Sequence, residues 1–600
     1  HRRLSIIDLS EAAAQPMGSE DDQVLLTYNG EIYNFPELRE ELEAAGHRFR
    51  SRTDSEILIH GYEEWGDQVV ERANGMFAFA LWDRRRQLLT LARDRFGVKP
   101  LYWYARDGVF IFASEIKAIL EHPAVRREMS YETLNEYFSF QNVLSDRTLF
   151  EGIRLLPPAT ILTVGIGHDV RMRTYWDYPF DREPLDISEA EAAEETHRLF
   201  VRAVERQLVS DVPIGAYLSG GMDSGSISMI AGQHVDRLRT FTAGFDLSSA
   251  SGLELGFDER ESAESMSNIL KTEHYEVVLH AGDMEHVLPE LIWHLEDLRV
   301  GQCYPNYYVA RLASRFVKVV LSGAGGDELF GGYPWRYYRG VGSTDRNDYM
   351  SRHYAFWQRL VPDAEKEQLF NERTRARIDD FSSFEQFRSV FDSYGRDIND
   401  PEGYFAASLY FELKTFLPGL LLVEDKLSMA HSLETRVPFL DNELVDFAVR
   451  LPARHKVRDL DSLPVVDENA TGKRRRFELE TSEGKAVLRR AMAHLIPSEV
   501  ANRTKQGFSA PDASWFRGES IDYINRILRA SDARIYEFLS RSYVASVLEE
   551  HTSGKINRRL LIWSLLSLEW WVRTFLDGSE LAPMDRAAEV TGAPSKSRSR

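Results

Sequence analysis

The chain has 600 residues, 43% apolar and 28% charged, and its 94 acidic against 73 basic side chains leave a formal net charge of −21. That length is too great for one hydrophobic core and implies roughly two to four domains of ordinary globular composition. The acidic balance speaks against a nucleic-acid partner, which would want a basic face. The single cysteine, Cys303, excludes an intramolecular disulfide and a cysteine-built zinc site and suits a reducing, cytoplasmic compartment.

The first residues, "HRRLSIIDLSEAAAQPM", lack the apolar core of a signal peptide and an initiator methionine, so the expected N-terminus lies further upstream. From about 24 to 115 strand signals dominate. "VLLTYNGEIYNF" carries Asn-Gly between apolar runs and reads as a hairpin, "GMFAFALWDRRRQLLTLARD" alternates, and "LYWYARDGVFIFAS" turns at Asp-Gly. This is a β-rich α+β region. A stretch rich in Pro, Gly and Asp, roughly 156–186, reads as a connector. The helix that follows opens with Ser188 and Glu191 as a capping box and repeats Ala193, Leu199, Phe200, Ala203, Val204 and Leu208 at helical spacing.

Short apolar strands then alternate with helical stretches: "IGAYL" at 214, "FTAGF" at 241, "HYEVVL" at 274 and "FVKVVL" at 316. The gaps are long enough for helical crossovers, which predicts a parallel, doubly wound sheet with ligands beyond the carboxyl ends of its strands. Two strands end in glycine-rich acidic loops, "LSGGMDS" at 218–224 and "LSGAGGDELFGG" at 321–332. A strand emptying through glycines into a helix aims backbone N–H groups and a positive helix end at an anion, most often phosphate. The first loop has neither the lysine of a Walker loop nor the spacing of a dinucleotide loop. It carries an acid instead, Asp223, and a carboxylate beside phosphates calls for a hard divalent cation between them. From 335 to about 450 the pattern is mostly helical, and no residue there stands out for chemistry. No apolar stretch approaches membrane-spanning length, the longest hint being "LPGLLLV" at 417–423, so no membrane partner is expected. The basic cluster "GKRRRFELE" at 472–480 reads as a solvated loop, and "DRAAEVTGAPSKSRSR" as a disordered tail.

"LSGGMDS" is similar to the pyrophosphate loop of N-type ATP pyrophosphatases. With "RLSIIDL", "NGEIYN", "GMFAFALWD", "RDRFGVKPLYW", "SDVPIGAYLSGGMDS", "LSGAGGDELFGGY", "DKLSMAHSLETRVPFLD" and "RTKQGFSAP", the chain from about 2 to about 570 resembles the glutamine-hydrolysing asparagine synthetases. The resemblance implies a truncated glutaminase-type domain over 1–165, with layered antiparallel sheets and helices. It further implies a linker over 166–186, an α/β synthetase domain with a large helical portion over 187–575, and the tail over 576–600. It implies ATP and Mg²⁺ as cofactors and aspartate with glutamine or ammonia as substrates, and it leaves a homodimer open. Aspartate would be adenylated with release of pyrophosphate, and ammonia would then displace AMP.

Carried onto this sequence, the family's phosphate loop is Ser219, Gly220, Gly221 and Ser224, its metal-holding acids Asp223 and Asp327, and its phosphate-contacting lysine Lys485. Leu218, Ala243, Ser322 and Gly323 fall where the family binds the nucleotide, and Glu328 joins the catalytic set. The family's glutaminase uses an N-terminal cysteine as nucleophile. Residue 1 here is His1, and Cys303 lies in the other domain and reads as a core residue, so ammonia-dependent synthesis is the expectation for these residues. The glutamine pocket maps to Arg3 for the substrate carboxylate, Asn29 and Gly30 for the oxyanion, and Glu31 and Asp54 for the α-amino group; as bare sequence, Asn29-Gly30 is a hairpin turn. Ala324 stands where asparagine-forming members often carry a glutamate that can take a proton from ammonium, leaving Glu328, Glu424 or a water for that role. That departure keeps open a related ligase acting on another carboxylate, as in the β-lactam-forming relatives. The missing nucleophile and Ala324 keep open a non-catalytic glutamine or nucleotide sensor.

Overall fold

The computed structural model describes residues 1–167, 169–457, 460, 484–497, 500 and 510–577. Its strands in chain order are β1 (Met17–Gly18), β2 (Val24–Ile32), β3 (Gly75–Asp83), β4 (Leu88–Arg93), β5 (Tyr102–Arg106), β6 (Val109–Ala113), β7 (Ile153–Leu155), β8 (Thr160–Gly165), β9 (Val170–Thr174), β10 (Ile214–Tyr217), β11 (Arg239–Phe245), β12 (Glu273–Leu279), β13 (Val319–Leu321) and β14 (Glu434–Arg436). They form a six-stranded sheet in the order β1-β2-β3-β4-β8-β9, a three-stranded sheet β6-β5-β7 and a five-stranded sheet β12-β11-β10-β13-β14. The first two are antiparallel throughout, and the third is parallel throughout. The fold class is the expected one, an α+β N-terminal part followed by an α/β part with many helices.

Period-two burial builds the first sheet: Val24, Leu26 and Tyr28 of β2 are buried while Leu25 and Thr27 between them are only half-buried. The β5–β6 hairpin turns on Asp107 and Gly108, both at positive φ as the Asp-Gly signal requires. In the second part, the helix Glu189–Arg206 starts on the full Ser188–Glu191 capping box and buries Ala193, Leu199, Phe200, Ala203 and Val204. The helices Met222–His234 and Arg260–Leu270 cross between successive parallel strands. One apolar core takes in Ile6, Tyr33, Met76 and Phe96 from the first part with Leu218, Phe330, Leu421 and Phe439 from the second.

Three expectations need correction. Asn29 and Gly30 do not turn: β2 runs straight through them, pairing Asn29 with Ala78 and Gly30 with Phe77 of β3. The glycine is required there because a Cβ would lie 2.1 Å from the Met76 carbonyl oxygen. The stretch read as connector contains β8 and β9, and β9 is the edge strand of the first sheet. The stretch from 335 to about 450 is mostly helical, as expected, and in addition supplies β14, the fifth parallel strand, through pairs such as Leu321 with Arg436. Pro401–Met429 is helical throughout and, by length and mean hydropathy, long and apolar enough to cross a membrane; its apolar window is 83% buried inside the fold, as a core helix would be. The basic cluster at 472–480, most of "RTKQGFSAP" and the tail from 578 lie outside the described residues.

Candidate active site

From β10 the parallel sheet grows one way through β11 and β12 and the other way through β13 and β14, so its direction switches between β10 and β13. Open α/β sheets bind ligands at that point, outside the carboxyl ends of the strands. Register brings the two acidic loops there together, since Ala216 of β10 pairs with Leu321 of β13. Their following residues leave the sheet side by side.

The first loop is shaped for close approach. Gly220 has φ +68, and a Cβ on it would sit 2.5 Å from the Ser262 backbone at the start of the neighbouring helix. Ser219 N–H donates to the Ser224 hydroxyl at 3.1 Å, and Gly221 N–H donates to the Ser219 hydroxyl at 3.3 Å, drawing the loop around the start of the helix Met222–His234. The first N–H groups of a helix lack intrahelical partners and face whatever lies before it. Leu218 donates its N–H to Phe241 at 2.9 Å, and buried Ala243 lies two residues further along β11.

The second loop begins where Ser322 N–H donates to the Arg436 carbonyl at 2.8 Å, so β14 fixes its start. Gly323 and Gly326 face the first loop, where a Cβ would stand 3.2 Å from Asp223 Cβ and 3.1 Å from Asp223 Cγ respectively. A side chain at either would push the acid away. Gly332 closes the far side, because a Cβ there would fall 1.9 Å from Asp327 Oδ1 and 2.6 Å from Lys485 Cε.

Lys485 unites the two loops. Its Nζ lies 2.5 Å from Asp223 Oδ2 and 2.6 Å from Asp327 Oδ1, and the lysine is buried. It caps the helix Ala486–Met492 in the left-handed region at φ 59, an unfavourable conformation for a residue with a Cβ, and its N–H donates to the Phe330 carbonyl. Three residues far apart in sequence thus form one charged cluster. Asp223 Oδ1 is buried with no hydrogen-bond partner among the described residues. An anionic oxygen left free beside a second carboxylate fits a hard divalent cation such as Mg²⁺, which Asp223 and Asp327 would hold.

Behind the cluster the acids continue inward. Burial and the Asp327 charge raise the Glu328 carboxyl above the usual range, and Tyr333 OH donates to Glu328 Oε1 at 3.1 Å. Glu412 is pushed up to about 7 by burial, although Arg336 at 3.3 Å and Tyr337 OH at 3.1 Å hold it. Sequence reasoning passed over Arg336 and Glu412, which sit in aromatic helical stretches without a motif. Glu424 is likewise pushed up to about 7 by burial, with a hydrogen bond from Ser322 working against the shift. Ala324 is half-buried against the apolar core, and its N–H donates to Ser322 Oγ at 3.3 Å.

The pocket mapped to glutamine lies on the first sheet. Glu31 and Asp54 are both buried, and Asp54 Oδ2 accepts from Tyr28 OH at 2.6 Å and Ile32 N–H at 2.8 Å. Burial and the Asp54 charge raise Glu31 well above the usual carboxylate range, against the pull of Arg436 at 3.7 Å. Asn29 and Gly30 precede Glu31 on β2, and Arg3 donates to the Ile7 and Asp8 carbonyls at 2.7 Å each. Cys303 is buried in an apolar cluster, and burial pushes its thiol up to about 12, far from a working thiolate.

Comparison with known proteins decides the family. The asparagine synthase sequence model matches residues 195–573, and the glutamine amidotransferase domain model matches residues 1–176. The chain belongs to the asparagine synthetase family. It is 32% identical to asparagine synthetase [glutamine-hydrolyzing] 1 of Bacillus subtilis, over 95% of this chain and 88% of that protein. A putative asparagine synthetase [glutamine-hydrolyzing] of Mycobacterium tuberculosis is 32% identical over 96% of this chain and 89% of its own length. The resemblance extends to amidase chyE of Penicillium rubens, 27% identical over 92% of this chain and 86% of that protein. As a member of the asparagine synthetase family the chain is a ligase.

Proposed function

We propose that the chain forms the amide of L-aspartate in two steps at the β10–β13 switch point. The aspartate side-chain carboxylate attacks the α-phosphorus of ATP, giving β-aspartyl-AMP and pyrophosphate; ammonia then attacks the acyl carbon and expels AMP. The observation that carries this reading is the convergence of Asp223, Asp327 and Lys485 at 2.5–2.6 Å at the mouths of two loops on adjacent strands.

Each part of the cluster has work to do in such a reaction. The first step gathers negative charge on the departing pyrophosphate, so fixed positive groups aimed at it supply most of the catalysis. The backbone of Ser219, Gly220 and Gly221, the Ser224 hydroxyl and the N-terminus of the helix behind them make the cradle. Mg²⁺, when bound by Asp223 and Asp327, would supply counter-charge. Lys485 is held by both acids beside the same oxygens. Leu218, Ala243, Ser322 and Gly323 would line the nucleotide side, and Glu328, next to Asp327 and accepting from Tyr333 OH, belongs to the catalytic set. On the first sheet, Arg3, Asn29, Gly30, Glu31 and Asp54 would hold glutamine. Because all groups for amide formation lie in the second part, free ammonia suffices as the nitrogen source for that step.

Asp223→Asn keeps the shape and removes the charge. Exchange of pyrophosphate into ATP should fall at least about a hundredfold in this variant with the fold intact, since a metal ligand and a lysine partner are lost together. Undiminished exchange would remove the assignment. The second reading, a ligase for another carboxylate, draws on Ala324 in the second loop. Exchange stimulated most by L-aspartate supports asparagine synthesis, whereas a clear preference for L-glutamate or a β-amino acid would replace the acceptor and leave the ligase chemistry standing.

A further inference from the structure

In the first part of the chain, among the described residues, His47, His60 and Glu63 bring their ligand atoms within 4.8 Å of one another. His47 sits just beyond the helix Phe35–Ala44, where its N–H donates to the Leu42 carbonyl at 3.0 Å, while His60 and Glu63 share a face of the helix Glu56–Trp65. His47 Nδ1 lies 3.2 Å from His60 Nδ1, and Glu63 Oε2 is 3.8 Å from the first and 3.5 Å from the second. Tetrahedral coordination at about 2.0–2.1 Å sets ligand atoms about 3.3–3.4 Å apart, so the triangle is already near the size required.

The outer contacts orient the rings. His60 Nε2 is 3.4 Å from Glu56 Oε1, and Glu56 also accepts from Arg50 N–H, Ser51 N–H and the Ser51 hydroxyl, so it is an acceptor and the imidazole must donate. His47 Nε2 lies 3.3 Å from Glu64 Oε2, another carboxylate. With Nε2 of each ring facing a carboxylate, Nδ1 is the nitrogen that each ring turns toward the other. Two ring nitrogens and a carboxylate oxygen this close together need a shared proton or a metal cation among them. Backing each imidazole with a carboxylate is also how proteins orient histidines on a metal.

We propose that His47, His60 and Glu63 bind a divalent transition-metal ion of the zinc class, with water in the fourth position. The donor set, two imidazoles and one carboxylate, favours Zn²⁺, Co²⁺ or Ni²⁺ over the oxygen-seeking Mg²⁺ of the switch point. His60 is only 2% exposed and Phe49 packs edge-on against it at 4.6 Å, whereas His47 and Glu63 are 17% and 25% exposed and leave an entry path. The ion would tie the turn after one helix to the face of the next.

The test is titration of the metal-stripped chain with Co²⁺ and then Zn²⁺ in saturating Mg²⁺. One equivalent of Co²⁺ should develop the visible absorption of a tetrahedral site, Zn²⁺ should displace it, and Zn²⁺ should raise the thermal midpoint. Glu64→Gln, which leaves all three ligands, should weaken binding about tenfold, and His47→Ala or Glu63→Gln by about a hundredfold, with pyrophosphate exchange unchanged. Asp223→Asn should bind Co²⁺ like the parent, which separates this site from the switch point. Lack of stoichiometric binding would overturn the proposal and leave a proton shared between the two imidazoles. Binding undiminished in both His47→Ala and Glu63→Gln would overturn it equally.

Discussion

Glu424 lies on the helix Leu417–Met429, partly buried, and its carboxyl is pushed up to about 7 by burial and by the charges of Asp425 and Glu328. Ala324 cannot take a proton from ammonium; Glu328 is only 2% exposed whereas Glu424 is partly exposed, so we propose Glu424, hydrogen-bonded to Ser322 of the second loop, as the base. The sign is direct. A carboxyl raised to about 7 is neutral below that pH and ionised above it, so its service as a proton acceptor grows as pH rises through about 7. Glu424→Gln should cut ammonia-dependent turnover at pH 7 by about a hundredfold, while pyrophosphate exchange, which precedes ammonia, stays unchanged. The variant should regain rate at high pH, where free ammonia needs no base. Parent-like turnover and pH profile in the variant would return the role to water. Glycine-rich acidic loops after strands single out Asp223 and Asp327 as candidates in the sequence, and the fold brings both acids to Lys485. Lys485 was not readable in the same way: a lysine opening a helix is usually solvated, and only the resemblance, then the geometry, set it between two acids.

Periodicity made the sheets legible where strands alternate or stand between crossovers, as in β3 and β10–β13. It failed at β14, whose three residues, Glu434 to Arg436, are polar or charged and yet wholly buried. Their hydrophilicity is met by pairing, Arg436 Nε donating to Glu434 Oε1 at 2.9 Å and Arg436 Nη1 to the Gln207 and Val209 carbonyls at 2.7 Å. No window of hydrophobicity can find such a strand. Asn29-Gly30 misled for the opposite reason: the dipeptide favours positive φ in a turn, but here φ of +152 at Gly30 serves close approach of β3. The two readings differ in what they tolerate. Asparagine is welcome at that position of a tight turn, whereas in this strand any side chain meets the Met76 carbonyl. Gly30→Asn should therefore destabilise the chain by about 1–3 kcal/mol, read as a lowered denaturation midpoint. An unchanged midpoint would restore the turn.

The two parts of the molecule are joined through their interiors as well as by chain connectivity. Asp94 accepts N–H groups from Phe77, Phe96, Val98 and Lys99, and Arg93 donates to the carbonyls of Gly97, Lys99 and Leu156, so "RDRFGVKPLYW" is a buried turn held rigid from both ends. What it presents to the second part is Lys99, whose Nζ donates to Asp425 at 2.8 Å with both side chains almost fully buried. Burial disfavours the lysine charge, yet Asp425, Glu434 and Glu31 hold its pKa above the ordinary value. A pair in such surroundings adds little over an apolar pair of the same shape, but breaking it strands a charge. Lys99→Met should cost about 3–5 kcal/mol of stability, and Lys99→Met with Asp425→Leu should recover most of that. The single variant carries a functional signature too. Asp425 left without its cation lies next to Glu424 and already raises that carboxyl, so the ammonia-dependent pH profile should move to higher pH in Lys99→Met. Chemical denaturation of both variants beside the parent, with pH profiles of amide synthesis, reads the two effects separately. A stable single variant with an unmoved profile would mean that the first part does not act on the second through this pair.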